Sequence, residues 1–423
     1  MKNLTERDKK YLWHPLTQHK RNSDMLGIVK AKGAILYDEL GNSYIDGIAS
    51  WYTSMYGHCN EFILGRVQQQ MEILDQVVFS GFTHEPAIKL SEELIKILPS
   101  NQMKLFFSDN GSTATEVGIK MALQYHFNKG KRRRVLLAFE EGFHGDTFGA
   151  MSVSGLSVYN GPFEDFSIEV ERIPVPDEEN IQNILQQLTT RLASNDIAAF
   201  IYEPLVQGAA GMKMHDKNGL NMILDLLHKN EVLLIADEVM TGFGKTGKYF
   251  ASDHIPVKPD IICLSKALTA GLLPMAITSA TQKVFDAFYS NDISKGLFHG
   301  HTYTANPLAC TAALAGLELL RSNEIQNNIR KIIDSHRSFG LRIKDHPKVK
   351  AIRQCGIIFA LDLKISMDRY GSLRDQLFNF FMKHGVFLRP LGNTIYILAP
   401  YTITDAQLTK VYDIIERALE TIE

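Results

Sequence analysis

Two short apolar runs that each end in a charge constrain the fold most. Val232-Leu233-Leu234-Ile235-Ala236 runs into Asp237, and Ile261-Ile262-Cys263-Leu264 runs through Ser265 into Lys266. Neither run alternates apolar with polar residues. Each therefore predicts a strand buried on both faces, the kind found in parallel sheets flanked by helices. Ligands of open α/β sheets gather beyond the carboxyl ends of the strands, so Asp237 and Lys266 are expected at one crevice. A lone aspartate after a strand more often closes a turn, and a lone lysine is usually a surface charge. It is the pairing, with the Gly-rich stretch Thr241-Gly242-Phe243-Gly244 between the two, that points to chemistry. A lysine in a site can form a Schiff base once its pKa is lowered. A nearby carboxylate can keep a pyridinium nitrogen protonated. Pyridoxal phosphate (PLP) requires both.

The rest of the chain agrees with such a sheet. From about residue 61, helices expected over 61–75, 86–98 and 114–128 alternate with strands expected over 105–108, 135–139, 199–202, 232–236 and 261–264. That alternation predicts an α/β fold with a mostly parallel central sheet and helices on both faces. Beyond about residue 305 the pattern becomes α+β: helices over 306–322, 326–345, 371–384 and 405–421, with strands near 351–363 and 386–398. Near the start, Ala34 to Asp46 reads as a hairpin turning at Gly41-Asn42. We therefore expect residues 61–305 to form the large PLP-binding domain. Residues 1–60 and 306–423 are expected to share a smaller α+β domain.

Composition excludes several partners. A net charge of −2 over 423 residues gives no electrostatic argument for nucleic acid or a membrane surface. The one basic run, Lys129-Gly130-Lys131-Arg132-Arg133-Arg134, reads as a solvated loop. The cysteines, Cys59, Cys263, Cys310 and Cys355, are scattered and read as free thiols in a reducing compartment. No apolar stretch approaches the roughly 18 residues of a membrane helix. The opening residues, Met1 to Asp8, are charged and carry no apolar signal region. The expected location is the cytoplasm.

Several loops after strands could carry the site. Ser108-Asp109-Asn110-Gly111-Ser112-Thr113 joins a strand to a helix, where small residues and unpaired N–H groups make a phosphate cradle. The competing reading is a helix start capped by Ser112 or Thr113. Phe143, after the strand 135–139, is placed either to stack on an aromatic ring or to pack on a neighbouring loop. Glu203 either points into the crevice or caps a turn, and spacing does not choose. His299 and His301 lack a third ligand cluster, so no metal is expected. Arg389, before Pro390-Leu391-Gly392, can clamp a carboxylate, although a surface role is commoner for an arginine.

The stretches Ala236-Asp237-Glu238-Val239, Thr241-Gly242-Phe243-Gly244 and Ser265-Lys266-Ala267-Leu268 resemble the class III PLP-dependent aminotransferases, and the similarity runs nearly end to end. Trp13-His14-Pro15, Ser50-Trp51, His144-Gly145-Asp146-Thr147, His299-Gly300 and Asn306-Pro307-Leu308-Ala309-Cys310 resemble one branch. That branch converts 8-amino-7-oxononanoate to 7,8-diaminononanoate in biotin synthesis. The resemblance implies PLP fold type I and a homodimer with active sites at the subunit interface. It implies that Lys266 binds the cofactor and shuttles a proton, and that Asp237 pairs with the pyridinium nitrogen. It places Gly111 and Ser112 on the phosphate, with Thr302 of the partner subunit, and Phe143 over the ring. Trp51, Phe143, Lys266, Gly300, Arg389 and Tyr396 would surround the substrates, with Arg389 on the carboxylate.

Ornithine- and aminobutyrate-type relatives carry a glutamate after Gln-Gly that pairs with the late arginine. Here that position is Ala209, which leaves Arg389 for a substrate. Three residues depart from the branch: Leu16 and Phe143 stand where tyrosines are usual, and Lys245 replaces an arginine. The first two remove hydroxyls from the donor pocket. S-adenosylmethionine is the expected donor and lysine the alternative. Another class III aminotransferase or an aminomutase is a second reading. A non-catalytic protein that keeps the fold, with no need of Lys266, is a third.

Overall fold

Leu233 and Ile235 share one core with Ala114, Val117 and Cys263, while Leu234 and Ala236 share another with Leu220, Leu224 and Ile262. This period of two is the strand's own. The helix Gly111–Asn128 supplies the first core and the helix Lys217–Lys229 the second. Both faces of the strand are thus covered, which is why its sequence is apolar throughout. Each fully buried Leu or Ile here contributes about 1.5–3 kcal/mol.

The computed structural model describes residues 3–21, 24–155, 161–365 and 372–421. Met1 and Lys2 of the charged opening stretch, and Gly371 at the start of an expected helix, lie outside them. The central sheet has seven strands, in the order Gln102–Ser108, Ala276–Thr281, Ile261–Leu264, Leu233–Asp237, Ile197–Tyr202, Val135–Phe139 and Val170–Ile173. The last five run parallel. Ala276–Thr281 is antiparallel to both its neighbours. Register sets Asp237 beside Cys263, so the chain leaves the two neighbouring strands toward Lys266 and Glu238 at the same edge.

The hairpin Ile35–Asp38 and Ser43–Asp46 forms as expected. Gly41 takes φ +86°, and Asp38 accepts the N–H groups of Leu40 and Asn42 across the turn. Val386–Phe387 then pairs in parallel with Ser43–Asp46, bringing the two ends of the chain together. Val349–Cys355, Ile358–Leu363 and Thr394–Ile397 form a separate antiparallel sheet. Beside it, His336 on the helix Asn323–Ile343 donates from Nε2 to Ile357 O (3.1 Å). Its Nδ1 accepts from the Tyr412 hydroxyl (2.8 Å).

Several elements were not expected from sequence, among them the strands Ile28–Lys32, Val170–Ile173 and Ala276–Thr281 and the helices Leu4–Tyr11, Ile181–Leu192 and Lys217–Lys229. Ala276-Ile-Thr-Ser-Ala-Thr is wholly buried, yet half of it is hydroxyl residues, so no apolar run marks it. The basic run is an exposed loop as expected except at one residue. Arg133 is buried, and its guanidinium donates to the carbonyls of Ile197, Asn230 and Glu231. It ties a strand start to a helix end, where unpaired carbonyls collect. Among the described residues no helix is long and apolar enough to cross a membrane.

Candidate active site

Three parallel strands end side by side, and each delivers a polar group to one place. Val135–Phe139 leads to Phe143 and His144, Ile197–Tyr202 to Glu203, and Leu233–Asp237 to Asp237. Asp237 is buried. Its Oδ2 accepts from His144 Nδ1 at 2.7 Å and its Oδ1 from the Val239 N–H at 3.0 Å. The residue is held in turn through its main chain: the His144 N–H donates to Ser154 Oγ (2.9 Å), and the His144 carbonyl accepts from Thr115 Oγ1 (3.1 Å). The acceptor on Nδ1 fixes the ring's orientation.

Lys266 opens a 3-10 turn, Lys266–Thr269, with φ +51°, a conformation that costs a non-glycine residue of order 1 kcal/mol. Its Nζ lies 5.0 Å from the centre of the Tyr52 ring. Burial pushes its pKa down, opposed by the negative charges of Asp237 and Glu203. Lys245, the lysine in an arginine's place, is wholly buried, and its Nζ donates to Gly242 O (2.8 Å). Burial, and then the charge of Lys266, lower its pKa to about 7, while Glu238 raises it.

The stretch after Ser108 forms the helix start, but the cap is Asn110 rather than Ser112 or Thr113. Asn110 and Thr113 bond reciprocally, side chain to backbone. The N–H groups of Gly111 and Ser112 belong to the first turn, whose donors have no partners inside the helix. A Cβ on Gly111 would stand 2.9 Å from Val239 Cγ1, and one on Gly145 (φ +132°) would stand 2.1 Å from Ser112 Oγ. Ser112 Oγ also accepts from the Asp146 N–H (3.2 Å). Small residues thus let the helix start and the 140s loop close to one another. Ser108 Oγ and His144 Nε2 are buried without a partner. Buried polar atoms left so cost about 1–3 kcal/mol each and mark a place for a ligand. An ammonium, a carboxylate and a glycine-lined helix start together fit a pyridine aldehyde that carries a phosphate.

On the opposite wall, Ala49, Ser50, Trp51 and Tyr52 all have φ between +45° and +70° and make a left-handed turn. The turn is braced by Ser50 Oγ to Asp46 (2.8 Å) and Thr53 Oγ1 to Ser50 O (2.9 Å). It sets the Trp51 ring under the Arg389 guanidinium, 4.6 Å from Cζ to ring centre. Among the described residues no carboxylate forms an ion pair with Arg389. Tyr52 donates to the hydroxyl of Tyr396 (3.1 Å), whose pKa burial raises to about 12.

Of the residues singled out from sequence, Asp237, Lys266, Arg389, Trp51 and Tyr396 fall on this crevice, linked through Tyr52. Gly111, Ser112 and Phe143 line its edge. Among the described residues no hydrogen bond joins Gly300 or Thr302 to Asp237, Lys266 or Arg389. Their loop lies against Gln76, which donates to Thr302 O (2.9 Å), and against Lys120, which contacts His299 (3.1 Å). Leu16 is exposed, with φ +52°, and Trp13 is 91% exposed. Sequence reasoning gave no role to His144 or Tyr52 and left Glu203 open. For Glu203 the available signal was the same as for Asp237, a polar residue at the end of an apolar run, whereas His144 lies five residues beyond its strand.

A family model, Aminotransferase class-III, matches residues 17–419. This chain belongs to the class III aminotransferases. An adenosylmethionine-8-amino-7-oxononanoate aminotransferase of Synechococcus elongatus is 44% identical to it, over 97% of this chain and 99% of that protein. The crystal structure of the enzyme so named from Methanocaldococcus jannaschii superposes with a TM-score of 0.94 at 33% identity, covering 99% of each chain. An amine transaminase from an uncultivated Pseudomonas species, solved in its PLP-bound form, superposes with a TM-score of 0.90 at 28% identity. It covers 97% of this class III chain and 98% of its own. The fold is that of these PLP-dependent transaminases, fold type I: a mostly parallel sheet between helices with a smaller α+β part.

Proposed function

We propose that this class III aminotransferase converts 8-amino-7-oxononanoate to 7,8-diaminononanoate, a step of biotin synthesis, with PLP as cofactor and S-adenosylmethionine as amino donor. The observation that carries the reading is the placing of Asp237 and Lys266 past the ends of two paired strands, beside a glycine-lined helix start. The end-to-end likeness to aminotransferases of that name supports the acceptor.

When bound, PLP supplies an aldehyde to which amines add and a ring that takes up the electron pair of a broken C–H bond. Lys266 would carry the moving proton at Nζ. Burial, which lowers its pKa, favours the neutral, accepting amine. Asp237, oriented by His144, would hold a proton on the ring nitrogen. Gly111 and Ser112 would bind the phosphate through the helix start, with Thr302 of the partner subunit, and Phe143 would cover the ring. Arg389, seated on Trp51, would take the acceptor's carboxylate, with Gly300 and Tyr396 lining the pocket. Among the described residues the loop of Gly300 and Thr302 makes no hydrogen bond to Asp237, Lys266 or Arg389 of its own chain, which supports a homodimer completing each site. We take residues 61–305 as the PLP-binding domain, 1–60 with 306–423 as the small domain, and the cytoplasm as the place of work.

Leu16 and Phe143 lack the hydroxyls usual around S-adenosylmethionine, which favours lysine as the second donor to test. Purified protein supplied with PLP, 8-amino-7-oxononanoate and each donor in turn decides the matter. We expect 7,8-diaminononanoate with S-adenosylmethionine. Product with lysine alone reassigns the donor, and product with neither removes the reading.

A further inference from the structure

Glu203 is a buried carboxyl to which the reading above gives no work. It is 4% exposed and follows Ile197–Tyr202, the strand between the one that leads to Phe143 and the one that ends in Asp237. Each of its oxygens accepts one main-chain N–H: Oε1 from Phe143 (3.0 Å) and Oε2 from Gly208 (2.9 Å). The two loops so joined come from different strands. Phe143 is 42% exposed, so packing does little to fix its place. A parallel tie, Gln207 Nε2 to Glu140 O (2.9 Å), holds the base of the same loop but not Phe143 itself.

We propose that Glu203 is a positioning residue for the transamination. Its carboxylate clasps the Phe143 and Gly208 loops together and so sets where Phe143 stands over the cofactor ring.

The clasp needs both oxygens to be acceptors. A glutamine, or a protonated glutamate, offers one acceptor and turns a donor against the second N–H. The groups facing Glu203 are His144 from the 140s loop, Asp237 from the neighbouring strand, Lys266 from the 3-10 turn and Tyr52 from the left-handed turn. Burial raises the carboxyl to about 7, Asp237 adds to the rise, and His144 and the two N–H donors oppose it. The charged form that clasps is therefore held by its N–H donors and His144 against the cost of burial.

The inference rests on Phe143 covering PLP, and its test separates the two. Glu203→Gln, Phe143→Ala and the double variant are compared with the unaltered enzyme. In the cofactor-free proteins, amide hydrogen exchange over residues 140–148 and 204–212 should quicken about tenfold in Glu203→Gln, with the melting temperature kept. In the holoenzymes, the circular dichroism of the bound cofactor should weaken. There kcat should fall about tenfold with KM changed less, and Glu203→Gln should cost less than about twofold more once Phe143 is already alanine. Should Glu203→Gln not accumulate, Glu203→Asp replaces it. That side chain keeps the charge but is one methylene too short for both loops, and the same pattern is expected. Unchanged exchange, or losses that multiply in the double variant, would overturn the clasp. Failure of the unaltered protein to bind PLP would overturn the function instead, and leave the exchange result standing.

Discussion

The His336 cluster and the crevice around Asp237 both bury titratable groups, but they differ in what they leave undone. At His336 each ring nitrogen has a partner, Ile357 O on one side and the Tyr412 hydroxyl on the other. Phe339 stacks on Tyr412 at 4.2 Å and closes the cluster. At the crevice His144 spends one nitrogen on Asp237 and leaves the other bare, Ser108 Oγ is bare, and an amine stands over an aromatic ring. A fold has no thermodynamic reason to keep such orphans, since each costs stability. Standing beside a buried carboxylate and a buried amine, they teach that the first cluster is finished by folding, whereas the second is finished by a ligand.

Replacing Lys266 by alanine should break the comparison most visibly. We expect kcat to fall by about a thousandfold or more, the yellow of the lysine-bound cofactor to vanish, and the melting temperature to hold or rise because a buried amine has gone. Surviving turnover would mean that the crevice is no more than a flawed core. His336→Ala tests the opposite side. It should lower stability by about 2–4 kcal/mol while kcat per bound cofactor stays unchanged.

The same residue gives a pH dependence. Burial depresses His336 to about 3, so the folded state holds it neutral while the unfolded chain takes up a proton below about 6.5. Its contribution is thus complete above pH 6.5 and is lost as pH falls toward 3. Melting temperatures measured down that range should drop less steeply in His336→Phe than in the unaltered protein. His215 and His126, depressed to about 3 and about 4, account for further loss in the same direction. The smallest effect is expected at the substrate wall. Arg389→Ala should raise KM for the keto acid by the worth of a charged hydrogen bond, about 1.5–3 kcal/mol, with kcat little altered. An unchanged KM would remove Arg389 from carboxylate binding.

How far the sequence could be read depended on the range of the interaction. Asp237 and Lys266 were legible because an apolar run and the charge ending it are neighbours in the chain. So were the hairpin at Gly41 and the helix after Ser108. Arg133 looked solvated because its flanks are basic, yet its acceptors sit about 60 to 100 residues away, at Ile197 and Asn230. Glu203 was undecidable for the same reason at one of its two partners: Gly208 is five residues on, but Phe143 lies two strands earlier in the chain. Ala276–Thr281 escaped because hydroxyl-rich strands bury themselves by bonding sideways, as Thr278 does to Ala114 O (2.9 Å).

The turn at Ala49 to Tyr52 has a further consequence. It winds against the natural hand of L-amino acids without a single glycine. Ordinary rules of tolerance are therefore inverted over four positions. An achiral residue, a helix breaker elsewhere, would relax the backbone here, and the gain in ease would come with a looser pedestal for Trp51 and Tyr52. Laboratory selection for heat resistance alone would be drawn to this segment, and selection for turnover would push it back.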